Sequence, residues 1–397
     1  MSFENPQNLI ASWNLQTSFA TGPVLSDQLV PKKFARIRTP FVCTWREEKL
    51  NSILDHASQN FSIYLPESLR VLKDAFLKIE VPASPSALKP FPGIHFIKTI
   101  RILSAGQEVY VCDYNQHMID YLQQLRDEDA VQFGKCYLGH EAAMSNAART
   151  IMLPLFLPNS PFLLRDGKDQ RGHGIFPAYL GQNRLELQLT MNANTFPLAN
   201  GTDVVPTISG KCSMMYRECQ MSASNKLAFG DARGKYSVIT RRFTEITSGW
   251  QDAAANTSIT WNINQPQGIV TEVMVLAIPT DDNDAKLVTG QYVRPVKLKV
   301  TADSIVQKDL DSAEKIAIEL YENGFDDNSH FPQCARLCFA AHCCDNSYAY
   351  TGGYNQQIAS TIAYDFEFAE AVKYKLVAVQ LQRVRIDALG RMSAKLD

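Results

Sequence analysis

The sequence predicts an all-β protein of the sandwich or barrel class, made of two similar halves. Segments of alternating or continuous apolar residues recur along the chain and are bounded by Gly, Pro, Asn and Asp. Helical periodicity is strong in two places only, and similar elements recur in the same order in each half. Many short strands with turn-rich connections are typical of this fold class.

Residues 91–110, FPGIHFIKTIRILSAGQEVY, are predicted to form two strands joined by a tight turn. Apolar residues alternate with more polar ones from Ile94 to Ile102, which gives the first strand one nearly apolar face. Gly106 accepts a positive φ at little cost. The sequence SAGQ is therefore predicted to reverse the chain before the second strand begins.

Further strands are predicted throughout the chain from the same kind of pattern. They are FSIYLP (61–66), AFLKIEV (75–81), TIMLPLFLP (150–158), NRLELQLTM (183–191), KYSVITRRFTEI (235–246), SITWNI (258–263), GIVTEVMVLAIP (268–279), VKLKVTA (296–302), ARLCFAA (335–341), TIAYDFEF (361–368) and YKLVAVQLQRVRI (374–386).

Two helices are predicted, at 115–126 and at 312–321, each with its apolar residues on one side. Both follow the same kind of lead-in. RILSAGQEV (101–109) and LKVTADSIV (298–306) share an alternating strand, a turn of small polar residues and a closing valine. The turn at Gly106 therefore has a predicted twin in the second half.

The correspondence between the halves continues after the helices. TIMLPLFLPNS matches ARLCFAAHCCDNS in position, and LELQLT (185–190) matches VAVQLQ (377–382). Four elements in the same order predict a duplicated all-β unit. The boundary between the copies is expected near residues 197–210, a stretch rich in Gly, Pro and Thr.

The composition is that of a globular protein large enough for about two domains. The chain has 397 residues, 45% of them hydrophobic and 20% charged. No apolar run approaches the ~20 residues of a membrane helix, and the N-terminus has no secretory signal pattern. The nine cysteines are odd in number and unevenly spread, which favours free thiols in a reducing, cytosol-like compartment.

The charge pattern gives no support for nucleic-acid binding. The formal net charge is −2, the first basic residue is Lys32, and the C-terminal tail RMSAKLD holds two positive charges. Proteins that bind a nucleic acid through its phosphates need a basic arm or patch. We therefore expect no direct contact with a genome.

The most site-like cluster is HFPQCARLCFAAHCC, which starts at residue 330. Six soft ligands with several spacings of four could form a zinc site on a helix. However, ARLCFAA has the composition of a strand, and no CxxC pair accompanies it. We expect structural sulfur in a core instead. The candidate ligands are His330, Cys334, Cys338, His342, Cys343 and Cys344.

Three segments match known binding or catalytic motifs only in part. RDGKDQRGHG (165–174) lacks the phosphate-loop arrangement and the spacing of a calcium loop, so an exposed loop is expected. SGKC (209–212) has Val205 where a phosphate loop begins with Gly, and HEAAM (140–144) has Met144 where a zinc protease has its second His.

Scattered histidines, acids and tryptophans give weaker candidates. Lone histidines without paired spacing do not form a metal site, and dispersed tryptophans do not form a sugar-binding platform. Two carboxylates meeting across a sheet could act as the acid and base of a glycosidase. The residues considered are His56, His95, His117, His140 and His173, the acids Glu186, Asp365, Glu367 and Glu370, and Trp45, Trp250 and Trp261.

Taken in order, these segments resemble the double jelly-roll major capsid proteins of adenovirus-like viruses, large eukaryotic DNA viruses and virophages. The resemblance covers most of residues 55–390, whereas the first 55 residues match no part of it, and the chain is short for this family. The similar segments are FIKTIRIL with its Gly-Gln turn, HMIDYLQQL, MLPLFLP, FPAYLGQNRLELQLTM, ENGF (322–325) and VAVQLQRVRI.

The resemblance implies a fold of two consecutive antiparallel jelly-roll sandwiches, each with one short helix. It places an N-terminal arm and the first strands in residues 1–55, the first jelly roll in 56–200 and the second in 201–397. The arm is expected to tie neighbouring molecules together.

The resemblance also implies a structural, non-enzymatic role. The expected assembly is a homotrimer of pseudo-hexagonal outline that tiles an icosahedral virion shell and is built inside the host cell, in cytoplasm or nucleus. Expected partners are further copies of the chain, neighbouring capsomers and minor or penton capsid proteins. No catalytic, cofactor-binding or metal-binding residue, no nucleic-acid contact and no membrane insertion are expected. The alternatives are a carbohydrate-binding protein or glycoside-acting enzyme on a jelly roll, and a minor vertex protein.

Overall fold

The computed structural model of the chain describes residues 42–50, 60–65, 72–88, 90–123, 125, 127–141, 146–155, 185–191, 212–220, 236–263, 268–280, 293–322, 334–342, 350–352, 354–355 and 361–396. These residues form mainly antiparallel sheets, arranged as two sandwiches that follow one another along the chain.

The first sandwich consists of two four-stranded sheets, with strand orders β1-β8-β3-β6 and β2-β7-β4-β5. In β7, every second residue from Leu185 to Met191 is buried, as expected for a strand with one face on a core. Side chains from both sheets, such as Leu77 and Leu187, share one core. The strands are β1 Val42–Lys49, β2 Asn60–Tyr64, β3 Leu72–Val81, β4 Ile97–Ser104, β5 Gln107–Asp113, β6 Arg149–Pro154, β7 Leu185–Met191 and β8 Cys212–Gln220.

The second sandwich has sheets with strand orders β10-β20-β12-β15 and β11-β19-β13-β14. Strands β9, β18 and β21 extend the first of these sheets, and β16 pairs with β17. Side chains from both sheets, such as Val273 of β12 and Leu298 of β13, form a second core. The strands are β9 Tyr236–Glu245, β10 Gln251–Ala253, β11 Ser258–Ile263, β12 Ile269–Pro279, β13 Lys297–Ala302, β14 Ile305–Leu310, β15 Ala335–Cys338, β16 Ala340–His342, β17 Tyr350–Gly352, β18 Tyr354–Asn355, β19 Ile362–Glu367, β20 Val372–Ile386 and β21 Met392–Leu396.

Both sandwiches have the strand order of a jelly roll. In the first, the first, eighth, third and sixth strands form one sheet, and the second, seventh, fourth and fifth form the other. The second sandwich repeats this order with β10, β20, β12 and β15 facing β11, β19, β13 and β14. Eight strands in this order, divided between two packed sheets, make a jelly roll. The predicted fold of two consecutive antiparallel jelly rolls is confirmed.

One predicted correspondence between the halves is wrong. LELQLT (185–190) lies in β7, which pairs with β2 and β4. VAVQLQ (377–382) lies in β20, which pairs with β12 and β9. The equivalent of β7 is β19, and the equivalent of β20 is β8. Both segments have an apolar residue at every second position, but in 377–382 both faces of the strand are buried, so this pattern alone does not distinguish the seventh strand from the eighth.

Strand β8 lies in the first jelly roll although it follows the boundary expected at 197–210, a stretch outside the described residues. It inserts between β1 and β3, and its Met214 joins the first core. The change from the first roll to the second therefore falls between Gln220 and Tyr236. Strand β1 is also part of the first roll, and residues 1–41 lie outside the described ranges.

The hairpin between β4 and β5 has a twin between β13 and β14. Ala105 and Gly106 have φ values of 52° and 76°, and Asp303 and Ser304 have values of 47° and 66°. Two consecutive residues with positive φ are typical of a type I′ turn. Each hairpin also has a register irregularity just before its turn. The predicted twin is confirmed, one residue further along the chain than the sequence match indicated.

Both predicted helices are present, and the described part of the first roll has one more. Helix α1 spans Tyr114–Gln123, α2 spans Asp127–Phe133 and α3 spans Ala313–Glu322. The expectation of one helix per roll is wrong for the first roll, where α2 packs Phe133 against the core. No helix in the described part of the chain is long and apolar enough to cross a membrane.

The strand expected from residue 91 begins later than predicted. Pro92–His95 form a 3-10 turn, and β4 starts at Ile97. Phe91 before the turn has a φ of 51°, and proline is favoured at the start of a helical turn. Ile94 is buried by the turn and not by a strand.

We expect Gly106→Val to lower the free energy of unfolding by about 1–2 kcal/mol, because a β-branched residue is strained in the left-handed region. A Cβ at Gly106 would meet no atom within 4 Å, so backbone strain is the whole cause. Gly106→Asn is the matched control, since Asn tolerates this conformation. Urea unfolding measures the difference, and equal midpoints for the two variants would contradict the assignment of the turn.

Candidate functional site between the two jelly rolls

Helix α1 joins the first jelly roll to the second. Nine of its ten residues are buried. Met118 and Leu122 face the first core. On the opposite side, Ile119 packs with Phe243 and Met274 on the outer face of the second roll's sheet. The first roll therefore covers one side of α1, and the second roll covers the opposite side.

Four charged side chains form a closed ring at this contact. Asp120 of α1 meets Arg241 of β9 at 3.2 Å and Arg336 of β15 at 2.7 Å. Glu272 of β12 meets the same two arginines at 2.8 Å and 2.9 Å. All four side chains are between 0% and 2% exposed. The second roll thus supplies two positive charges and one negative charge, and the first roll supplies the carboxylate that balances them.

Gln123, one turn further along α1, completes the contact. Its Oε1 accepts hydrogen bonds from Nε and Nη2 of Arg336 at 3.0 Å and 2.6 Å and from the Cys334 thiol at 2.9 Å. Its Nε2 donates to the Cys334 carbonyl at 3.2 Å. Arg336 therefore binds two residues of α1 through three of its nitrogen atoms, which fixes the helix relative to β15.

The electrostatics keep the ring charged. Burial opposes ionisation of Asp120, but Arg241 and Arg336 outweigh it and hold the pKa of this carboxyl below its usual range. Burial alone would lower the pKa of Arg336, but the negative groups around it raise the pKa. Burial raises the pKa of the Cys334 thiol, so the sulfur stays protonated and acts as a hydrogen-bond donor.

A second polar contact lies at the start of α1. The hydroxyl of Tyr110 and Nδ1 of His117 are 2.7 Å apart, and the imidazole lies 4.9 Å from the ring of Phe243. Burial raises the pKa of Tyr110 well above its ordinary value. His117, one of the histidines noted in the sequence, therefore belongs to the contact between the rolls.

The predicted cysteine and histidine cluster is only partly in the described residues. Cys334 and Cys338 are buried, and His342 lies in β16. The expectation of structural sulfur in the interior is confirmed for these two cysteines, while His330, Cys343 and Cys344 lie outside the described ranges. Within those ranges, no three His, Cys, Asp or Glu side chains lie together in a way that could hold a metal ion.

The acids considered for glycosidase chemistry are spread over the two rolls, and Asp365 and Glu367, which share one face of β19, are each bound to another side chain. Glu186 lies in β7 of the first roll, whereas Asp365 and Glu367 lie in β19 of the second. Asp365 accepts a hydrogen bond from Thr260 at 2.5 Å, and Glu367 pairs with Lys297 at 2.8 Å. Glu370 follows β19 outside any strand.

The other sequence candidates are dispersed. His95 ends the 3-10 turn, and His140 stacks on Phe91 at 4.2 Å. Trp45 lies in β1, Trp261 in β11 and Trp250 just before β10. Several candidates lie outside the described ranges, namely residues 142–144, 165–174 with His173, residues 209–211, and His56.

The charged ring was not predicted from the sequence, although a signal for it exists there. Glu272 interrupts the apolar run GIVTEVMVLAIP, Arg336 interrupts ARLCFAA, and Asp120 lies beside the apolar side of a helix. A charge inside a segment that is otherwise buried requires a partner. These three charges could therefore have been flagged together as candidates for mutual pairing.

The ring is built to position elements and not to turn over a substrate. Both carboxylates of the ring are paired with arginines, and the four side chains are closed off from solvent. A catalytic acid or base needs access to the proton that it transfers. What this arrangement does chemically is hold two sandwiches at one relative orientation.

Comparison with solved structures finds the same architecture in viral capsid proteins. VP54 of the virus PBCV-1, fitted into a reconstruction of the virophage Sputnik, is 11% identical, with a TM-score of 0.68 over 92% of this chain and 98% of VP54. The Faustovirus major capsid protein is 10% identical, with a TM-score of 0.58 over 96% of this chain and 98% of that one. The mavirus major capsid protein is 11% identical, with a TM-score of 0.56 over 89% and 90%.

This chain has the double jelly-roll fold of viral capsid proteins. The likeness extends over both rolls, as the shares of the chain show. No protein-family model matches the sequence, and neither does any curated protein sequence.

In this double jelly roll, we expect Arg336→Met to lower the free energy of unfolding by roughly 3–5 kcal/mol, because it leaves buried carboxylates without their partner. Arg101→Met is the matched control. Arg101 pairs with Glu108 on the surface, its side chain is 57% exposed, and its loss should change stability by less than about 0.5 kcal/mol. Urea unfolding compares the two variants, and a loss no larger than in the control would refute a structural role for the ring.

We expect acid to weaken the contact through Asp120. Because its pKa is lower in the folded chain, Asp120 adds stability above its unfolded pKa of about 3.9 and loses that contribution as the pH falls through the folded value. The free energy of unfolding should thus fall below about pH 4, and less steeply in Asp120→Asn. Urea titrations from neutral pH to about pH 3 test this. If the free energy of unfolding changes with pH equally in the parent chain and in Asp120→Asn, the prediction is wrong.

Proposed function

We propose that this chain is a structural major capsid protein whose homotrimers form the capsomers of an icosahedral virion shell. The observation that carries the proposal is the presence of two complete jelly rolls in one chain, joined through a buried ring of charges. The same fold occurs in the Faustovirus and mavirus major capsid proteins.

The geometry of the fold fits such a building block. Three copies supply six jelly rolls, which approximate a hexagonal unit that can tile a surface. Symmetric assembly of this kind needs flanks that repeat around an axis, and the duplicated rolls provide similar flanks within each chain. A chain with a single roll suits a fivefold vertex better, so the duplication favours the capsomer over the vertex protein.

The further parts of the proposal follow from the capsid role. The protein acts in the virion after assembly inside the host cell, in cytoplasm or nucleus, and its partners are further copies, neighbouring capsomers and minor or penton proteins. It works without catalysis, cofactor or direct nucleic-acid contact. We propose that its first jelly roll runs from β1 to β8 and its second from β9 to β21.

We expect the purified chain to form particles with three times the mass of the 44.4 kDa chain and a hexagonal outline. Native mass spectrometry and negative-stain microscopy measure the two properties. A stable monomer at high concentration would refute the capsomer, and a pentamer would indicate a vertex protein. A chromogenic glycoside panel and a glycan array are run alongside, and turnover or specific binding there would favour the carbohydrate-directed alternative.

A further inference from the structure

Helices α1 and α3 occupy the same place in their jelly rolls, and their residues correspond one to one. The spacing that relates Gly106 to Ser304 in the twin hairpins also relates Met118 to Ile316 and Leu122 to Leu320. These residues are 0% or 1% exposed in both helices. Each helix is therefore anchored to its own roll in the same register.

The outer sides of the two helices differ in what covers them. In α1, Asp120 is 0% and Gln123 is 1% exposed, because the second roll covers this side. The equivalent residues of α3 are Ile318 and Tyr321, which are 55% and 84% exposed. Large apolar side chains that stand exposed together indicate an interaction surface.

The surface that receives α1 also has a twin. Phe76 and Met274 are related by the spacing that relates the helices, and they pair with Met215 and Val377, so Arg217 corresponds to Val379. Strand pairing aligns Val379 with Phe243 in the second roll and Arg217 with Trp45 in the first. Phe243, which contacts His117 of α1, thus corresponds to Trp45 on the outer face of the β1-β8-β3-β6 sheet. Trp45 is 50% exposed.

Part of this first-roll face is covered by its own chain. Tyr137 stacks on Phe76 of β3 at 5.4 Å, which closes the side of the face near β6. The open part lies towards β1, where Trp45 stands next to Arg217 at 5.0 Å. A helix docking here would meet Trp45 first.

The outer side of α3 and the sheet surface around Trp45 differ in charge from α1 and the second-roll sheet, which meet within one chain. The ring residues Asp120, Arg241, Glu272 and Arg336 correspond by strand pairing and spacing to sequence positions occupied by Ile318, Cys43, Asp74 and Pro154. The carboxylate of the helix and both arginines are thus replaced by residues without charge, whereas one acid is kept on the sheet. On the open part of the sheet near β1, the arginine of the ring is replaced by an uncharged residue, which matches the change from Asp120 to Ile318 on the helix.

We propose that the outer side of α3, at Ile318 and Tyr321, docks head to tail on the first-roll sheet around Trp45 of a second copy of this chain. Within one chain the rolls already touch through α1 and the second-roll sheet, so the complementary pair of surfaces is left for contact between chains. Such a heterologous contact closes into a ring when its rotation allows. The proposal rests on the proposed function and adds to it the two surfaces that join the copies.

A photo-crosslinker tests the contact directly. Benzoylphenylalanine replaces Tyr321, an exposed aromatic residue, so the fold is retained. After irradiation of the assembled oligomer, we expect a denaturation-resistant dimer whose crosslinked peptide maps to β1 or β8. An oligomer crosslinked elsewhere, for example from α3 to α3, would overturn this contact and leave the capsid role standing. Failure of the unmodified chain to assemble at all would overturn the capsid role itself.

Matched variants separate the contact from general surface effects. Ile318→Asp with Tyr321→Gln installs the α1 residues on α3 and should weaken self-association by at least about 30-fold, because it removes the two large side chains that pack on Trp45. Ile305→Gln is the control. Ile305 is 65% exposed, and its equivalent Gln107 stays exposed in the first roll, so assembly should be unchanged. Equal effects of the two changes would refute the proposal, and unfolding midpoints equal to the parent confirm that each variant is folded.

Discussion

The relative orientation of the two jelly rolls depends on the buried ring of Asp120, Arg241, Glu272 and Arg336. Taking four charges out of water is costly, and the cost is offset only when each charge meets its partners in good geometry. One carboxylate comes from the first roll and three side chains from the second. An apolar contact alone tolerates sliding and rotation, whereas this ring closes at one placement of α1 on the sheet.

The backbone connects the same two rolls through strand β20. Its first residues pair with β12 in the second roll, and its last residues run between β9 and β21. Val384 and Ile386 from this end belong to the first core. The two cores therefore share one strand, and the ring of charges and the hydrogen-bond ladder of β20 hold the same arrangement by independent means.

The duplicated unit kept its inner contacts and changed its outer ones. Met118 and Ile316 occupy equivalent buried positions because each helix packs on the core of its own sandwich in the same way. The residue types on the outer side of each helix depend on what lies opposite that helix. In α1 they are polar because the opposing sheet supplies arginines, and in α3 they are apolar, as Tyr321 illustrates. Core positions are set by packing within a unit, whereas surface positions are set by what the unit meets.

Strand periodicity and turn chemistry are local properties of the chain, so the sequence sufficed for the all-β class, most strands, two helices and the existence of twin turns. The structure was needed to align Gly106 with Ser304. Pairing is not local. Only the folded chain showed that β20 corresponds to β8 and not to β7, because an apolar residue at every second position does not identify the neighbours of a strand. The pairing of charges in the ring was also visible only in the folded chain. Asp120 and Arg336 are far apart in sequence, and an isolated charge in an apolar segment shows that a partner is needed without showing which one.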